Sequence, residues 1–340
     1  AYIMFTSGST GTPKGVPVTV RSLTSYIRSI ATLIQFPVNA RHTQFFDLSF
    51  DLSIHDIFLS MYTDGVLVAP TPIDLMMPAA YVRRERIDVW FSVPLLGAQL
   101  TSSAPRADDP LLDLMLFCGE ALPIETVVGC EPWVREGGQI WNLYGPTEAT
   151  IAFTATQANH SEHESGVASI GHPFGDNTVA LLRDDGTTSD ISQSGTQGEL
   201  LLGGPQVFAG YSTEAPDPFV EHAGNRMYRS GDLVRVMPDG LSYRGRTDTQ
   251  VKYRGYRVEL GEIETAIRKT YRLKTVAVIM RGTQQHAELC AYYLAAEATE
   301  PVDSELLAES LAPYMIPATF VALESMPTNA NGKIDRRNLS

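Results

Sequence analysis

The 340 residues include 39 Asp plus Glu against 26 Lys plus Arg, a formal charge of −13, with 44% hydrophobic and 19% charged residues. This balance excludes a disordered tail or a charge-rich coiled coil and is ample for one large or two smaller cored domains. Basic residues cluster no further than pairs such as Arg336-Arg337, which argues against a nucleic-acid partner, since phosphate neutralisation needs grouped Lys and Arg. Three cysteines, Cys118, Cys130 and Cys290, lie far apart without C-x-x-C spacing, so a disulfide framework or structural zinc site is not expected and a reducing cytoplasm is. No run reaches transmembrane length and no membrane partner is expected. The chain opens on Ala1 rather than Met, which reads as a piece of a longer chain.

In chain order, Ala1–Phe5 reads as a buried strand running into Thr6-Ser7-Gly8-Ser9-Thr10-Gly11-Thr12-Pro13-Lys14-Gly15. Small residues let backbone N–H groups approach an anion, hydroxyls add donors and Lys14 adds charge, all suited to a polyphosphate. The Walker spacing is absent because Pro13 precedes Lys14, and composition alone fits a flexible surface loop equally well. Leu23, Ile27, Ile30 and Ile34 recur at helical spacing, and strand-like runs at Val66–Ala69, Val89–Val93 and Leu114–Cys118 alternate with helical stretches. This predicts an α/β large subdomain with a mainly parallel sheet. Around residues 193–247 shorter Gly-rich strands such as Gly198–Leu202 and Leu241–Tyr243 predict a small β-rich layer. Beyond a boundary at Asp248, an amphipathic helix (Leu260, Ile263, Ile267), strands at Thr275–Met280 and Leu289–Leu294, and a helix over Ser304–Leu311 predict a small α+β subdomain. His160 and His163 have the look of a metal pair, but their polar surroundings read as a loop and no role is given them.

Seven ordered segments then carry a resemblance. They are the opening loop; Phe50-Asp51-Leu52-Ser53; Gly119-Glu120-Ala121-Leu122; Asn142–Glu148 (NLYGPTE); Tyr228–Asp232 (YRSGD); Gly245-Arg246-Thr247-Asp248 with Lys252–Glu259; and Asn331–Asp335 (NGKID). In this order they resemble the adenylate-forming enzymes, and in wording the amino-acid adenylation domains of nonribosomal peptide synthesis. In that family a long portion precedes the phosphate loop, so the resemblance implies a missing N-terminal portion as a partner of residues 1–247, the C-terminal part of the large ATP- and substrate-binding subdomain. Asp248 would be the hinge and residues 249–340 the mobile small subdomain.

The resemblance implies attack of an amino-acid carboxylate on the α-phosphorus of ATP, release of pyrophosphate, and transfer of the aminoacyl group to the phosphopantetheine thiol of a carrier protein. Charge builds on phosphoryl oxygens, so such chemistry needs placed cations and donors. Thr6, Ser7, Gly8, Thr10 and Lys14 would hold phosphates, with Gly119, Glu120 and Ala121 also on the nucleotide. Thr147 would touch the α-phosphate, Glu148 would bind Mg²⁺, and Lys333 would bridge carboxylate and phosphate. Tyr144 and Tyr243 would flank adenine, Asp232 would hold the ribose hydroxyls and Arg246 would sit on the ribose side. Asp51 would pair with the substrate ammonium, Asp47 being the alternative because Phe-Asp-Leu-Ser is duplicated. Leu52, His55, Ser92, Leu116, Cys118, Leu143, Ile151 and Ala152 would face the side chain. His55 and Ser92 are its polar members, which suggests a small or medium neutral amino acid, nearest to cysteine, serine or proline pockets. Lys252, Arg254 and Tyr256 would approach the thiol channel. An acyl-CoA synthetase and a non-catalytic binding module are the competing readings.

Overall fold

The computed structural model describes residues 1–6, 13–159, 166–282, 287–299, 302–328 and 334–339. Two compact units emerge: Ala1–Phe5 with Gly15–Thr247, and Thr6–Lys14 with Asp248–Ser340.

In the first unit β1 (Tyr2–Thr6) pairs with β2 (Lys14–Val18) and leads to α1 (Val20–Leu33). Thr19 caps α1 by accepting the Ser22 N–H at 3.0 Å, satisfying one of the helix's orphan donors. Its buried face, Leu23, Tyr26, Ile27 and Ile30, has the expected period, and Ile34 turns extended and ends it. There follow β3 (Arg41–Thr43), α2 (Leu52–Tyr62), β4 (Val66–Val68), α3 (Pro72–Met76), α4 (Pro78–Glu85), β5 (Val89–Ser92), α5 (Pro94–Leu100), β6 (Leu112–Phe117), α6 (Ile124–Cys130), β7 (Val134–Tyr144), β8 (Thr154–Gln157) and β9 (His172–Pro173). The strands form one sheet in the order β4-β3-β5-β6-β7-β8-β9, parallel from β4 to β7 and antiparallel beyond.

Both faces of this sheet are covered, as parallel sheets require. Val89, Phe91, Leu114, Leu116, Trp141 and Leu143 pack toward α1 and α2, while Trp90, Met115, Phe117 and Ile140 pack into a second core on the other face. A second sheet, β11-β10-β12-β14-β13 with β15 on β14, uses β10 (Thr178–Leu182), β11 (Thr188–Ser189), β12 (Gln197–Gly203), β13 (Phe219–His222), β14 (Asn225–Met237) and β15 (Gly240–Arg246). The β-rich layer thus begins at Thr178, earlier than its Gly-rich texture suggests, because β10 is an apolar run without turn residues.

The second unit contains β16 (Gln250–Tyr253) and β17 (Tyr256–Glu259), joined through Arg254 and Gly255. Both have positive φ, as a two-residue hairpin turn demands. Then come α7 (Leu260–Tyr271), β18 (Val276–Arg281), β19 (Glu288–Leu294) and β20 (Thr319–Leu323) in a three-stranded sheet. Ile263, Ile267, Val276, Val278 and Leu289 share its core. Ser304–Leu311 is not the expected helix: only Leu306–Glu309 form a 3₁₀ turn. The chain there is tied by Asp303, whose backbone and carboxylate oxygens both accept from the Tyr271 hydroxyl at 3.0 Å. Among the described residues no helix is long and apolar enough to cross a membrane.

Candidate active site

The C-terminal ends of the parallel strands gather the candidate residues of the first unit, where open α/β sheets bind their ligands. Asp51 is the N-cap of α2, so Asp51, Leu52 and His55 lie within its first turns, Asp51 and His55 one turn apart on one face. Ser92 ends β5, Cys118 follows β6 and Tyr144 ends β7. Leu52, Leu116, Cys118, Leu143, Ile151 and Ala152 all belong to the core against α1 and α2, so the apolar residues of the expected side-chain pocket are brought together. Gly119 has φ +93, which a side chain would strain, and lies against Val93 and Leu52, so the chain turns tightly out of β6 and carries half-buried Glu120 and Ala121 into the loop.

Ser92 departs from its expected role. Its hydroxyl accepts from Trp90 Nε1 at 2.7 Å and donates its only proton to the Val93 carbonyl at 2.9 Å, on the face opposite Phe91. The period-2 alternation of β5 turns it away from the apolar pocket. His55 is then the polar side chain among the expected pocket residues.

Asp51 is 7% exposed. Burial pushes its carboxyl up to about 6, opposed by the N–H of Ile151, 3.3 Å from Oδ2, and by the Thr147 hydroxyl, and reinforced by the nearby Glu148 carboxylate. Asp47, by contrast, is exposed and folds back on Ser49, whose N–H and hydroxyl it accepts at 2.8 and 2.7 Å. The geometry therefore favours Asp51 over Asp47 as a buried anionic anchor.

The donors reach Asp51 because the chain after β7 is strained. Thr147–Ala149 form a short 3₁₀ turn, and Thr150 and Ile151 both take left-handed φ of 60° and 70°, costly for β-branched residues. Gln206, fully buried, holds this turn: its Nε2 donates to the carbonyl of Ala152 at 2.7 Å and lies 3.3 and 3.4 Å from those of Ala149 and Thr150. Its own carbonyl accepts from Asn177 at 2.9 Å, and the Thr150 hydroxyl donates to the Gln206 backbone at 2.6 Å. Sequence reasoning missed Gln206 altogether. Its Gly-Pro-Gln setting carries no signal of a buried amide.

Glu148, 1% exposed, accepts from the Tyr211 hydroxyl at 2.9 Å. No group of three His, Cys, Asp or Glu able to hold a metal occurs among the described residues. One buried carboxylate fits a hard divalent cation that takes its remaining ligands from phosphate and water.

On the second sheet, Asp232 of β14 stands directly across from Arg246 of β15, beside a bulge between Leu233 and Val234. Arg246 Nη1 donates to Oδ1 of Asp232 at 2.6 Å and the Tyr144 hydroxyl to Oδ2 at 2.5 Å, while the Ser230 hydroxyl accepts the Asp232 N–H at 3.0 Å. Burial, then the Asp232 charge, push the Tyr144 phenol far above its ordinary range, so it stays a donor. Tyr144, Asp232 and Arg246 thus form one connected buried set, and Tyr243 packs against the same core. Thr6 and Lys14 bracket the opening loop, the Thr6 hydroxyl donating to the Lys14 carbonyl at 3.4 Å. Ser7, Gly8, Thr10 and Lys333, with His160 and His163, lie outside the described residues. Asp248 is the first residue of the second unit's long segment, its carboxylate accepting the Gln250 N–H at 3.1 Å.

Parallel strands ending at a buried carboxylate, with a tyrosine–aspartate–arginine set alongside, define an α/β enzyme whose ligands sit at the strand ends. Comparison supplies the family: the model described as AMP-binding enzyme matches residues 1–212, and the chain belongs to that family. It is 36% identical to the phosphinothricin tripeptide synthetase PhsC of Streptomyces viridochromogenes over 356 residues, covering 100% of this chain and 31% of that protein. It is 35% identical to the L-proline--[L-prolyl-carrier protein] ligase of Streptomyces coelicolor, covering 100% of this chain and 65% of that one. The crystal structure of the Vibrio cholerae adenylation domain AlmE in complex with glycyl-adenosine-5'-phosphate matches with a TM-score of 0.91 at 32% identity, over 100% of this chain and 65% of that chain. The chain therefore spans less than two thirds of these relatives' own length, and its likeness to adenylation domains, first read from seven motifs, holds along its whole extent.

Proposed function

We propose that the chain forms the catalytic part of an ATP-dependent enzyme that activates a neutral amino acid as its aminoacyl-adenylate and passes it to the phosphopantetheine thiol of a carrier protein. The observation that carries this reading is Asp51: a buried carboxylate, oriented by Ile151 and Thr147 at the mouth of an apolar pocket, is suited to a substrate ammonium. An acyl-CoA synthetase handling fatty or aryl acids gives such a group nothing to pair with. Two of the relatives support the same reading, one bound to glycyl-adenosine-5'-phosphate and one a prolyl-carrier ligase.

In this reading Tyr144 and Tyr243 flank the adenine, and Asp232, held between Tyr144 and Arg246, accepts ribose hydroxyls with its remaining lone pairs. Glu148 would hold Mg²⁺, which neutralises charge on the phosphates. Thr147 links the two halves of the site, since its hydroxyl is within bonding reach of Asp51 and it is followed directly by Glu148. By the resemblance, Lys333 and the residues of the opening loop would supply further phosphate contacts. Pyrophosphate exchange by the complete protein, run with the common amino acids and then with simple carboxylic acids, tests the reading. Exchange is expected with neutral amino acids, and exchange with des-amino acids alone would reject it.

A further inference from the structure

Tyr26 lies on α1 and no motif singles it out. It is fully buried, and its hydroxyl is 2.6 Å from Nδ1 of His55, itself 1% exposed. The imidazole is packed by Phe91, with ring centroids 4.2 Å apart, and by Phe36. Burial pushes the His55 pKa down to about 3 and the Tyr26 phenol well above its ordinary value, so both groups are neutral near pH 7.

A neutral histidine has one N–H and one bare nitrogen, and this contact decides which is which. Among the described residues the Tyr26 hydroxyl has no other hydrogen-bond partner, nor has His55 Nε2. If Nδ1 carried the proton, the phenol proton in its apolar core and the bare Nε2 would both be unpaired, whereas with the phenol donating only the Nε2 hydrogen is left, and Nε2 is not among the sealed buried atoms that lack a partner. The phenol therefore donates, Nδ1 accepts, and Nε2 bears the hydrogen.

We propose that Tyr26 is a positioning residue that locks His55 in the Nε2–H tautomer, so that the pocket offers the substrate side chain a single hydrogen-bond donor and selects a neutral side chain with an oxygen acceptor, a hydroxyl or a carboxamide. This rests on the amino-acid-activating reading above and narrows it. Tyr26 packs in the same core as Leu52, Cys118 and Ile151, and His55 follows Asp51 by one turn of α2, so the pair sits beside the proposed ammonium anchor and the small-residue wall of the pocket. With Ser92 spent on Trp90 and Val93, His55 is the donor left to the substrate. A site built to bond an oxygen discriminates strongly against the isostere lacking it, because the buried donor is then unpaired.

The test has two arms. Nitrogen-15 NMR of the complete protein, labelled in histidine, should give His55 an unprotonated Nδ1 and a protonated Nε2 at pH 7, and Tyr26→Phe should abolish that preference. In pyrophosphate exchange, threonine should be preferred over valine, or asparagine over leucine, by roughly ten- to a hundredfold in kcat/KM, chiefly through KM. Tyr26→Phe, which keeps the ring, should cut that ratio about tenfold, and His55→Leu should reverse it. A protonated Nδ1, equal use of the apolar partner, or an unchanged ratio in Tyr26→Phe would each overturn the proposal. If no amino acid supports exchange, the reading of function fails, and the tautomer measurement still decides whether Tyr26 sets His55.

Discussion

Asp51 concentrates the conflict between folding and binding in one side chain. Its folded-state pKa is raised from 3.8 to about 6, chiefly by burial, so the folded protein holds a proton that the unfolded chain gives up at lower pH. The stabilising contribution is complete below the unfolded value and is lost as pH rises through about 6, where the buried carboxylate ionises. Asp51→Asn should therefore gain stability relative to the parent between pH 4 and pH 7, measured by urea unfolding at several pH values. In the proposed function the same ionisation creates the binding charge, so amino-acid KM should rise as pH falls below about 6. In Asp51→Asn it should be raised about a hundredfold and lose this pH dependence. Asp47→Asn should leave both unchanged, since that group is exposed and bonded locally. Glu148→Gln keeps an oxygen for the Tyr211 hydroxyl and so should fold normally. It should lose most adenylation and need more Mg²⁺, as titration of pyrophosphate exchange with the metal would show.

At the scale of the element, the turn from Thr147 to Ala152 does most to shape the site. Two consecutive left-handed β-branched residues store strain of about 1–3 kcal/mol each, and Gln206 offsets it by satisfying carbonyls that the turn leaves without helix or sheet partners. Gln206→Ala should cost about 3 kcal/mol by orphaning the carbonyls of Ala149 and Ala152, that of Thr150 keeping the Ala152 N–H, visible as a lower urea midpoint. KM for the amino acid should rise in the same variant as Ile151 drifts from Asp51. None of this is legible in the sequence. Propensity gives Thr and Ile no reason to sit at positive φ, and a glutamine far along the chain does not announce whose carbonyls it will meet. What is legible follows from periodicity: Val89–Ser92 and Leu112–Phe117 are continuous apolar runs because both faces of their sheet are covered, and α1 shows its stripe. The Ser304–Leu311 stretch shares that stripe but not the helix, since a pattern of apolar residues cannot report the tether between Tyr271 and Asp303. Ser92 departs from its expected place for a related reason: the resemblance names it as a pocket residue, whereas the side it faces is fixed by the strand's alternation.

For the molecule as a whole, the proposed chemistry imposes two geometries. We propose that Lys333 approaches the α-phosphate during adenylation and that, because a pantetheine thiol would later approach the same acyl carbon, residues 249–340 rotate about Asp248 and exchange Lys333 for the hairpin bearing Lys252, Arg254 and Tyr256. Hinges absorb backbone change over a few residues. Asp248→Pro, with its fixed φ and missing N–H, should slow one half-reaction at least tenfold more than the other when pyrophosphate exchange and carrier loading are measured separately. Lys333→Ala should slow adenylation selectively. Equal slowing of both steps by both variants would show that the two states are not divided in this way.

The distances along the chain that the site bridges also bear on how the protein is made. Neighbouring strands from β5 to β7 follow one another in sequence and can zip together step by step. The Ile151 hydrogen bond to Asp51 joins residues 100 apart, and the bond from Tyr144 to Asp232 joins residues 88 apart. Contacts between such distant residues repay their loop-closure entropy only after the intervening segments have ordered. The surroundings of Asp51 and Asp232 are therefore among the last features the chain can assemble. During refolding, strand content should return before ligand affinity does.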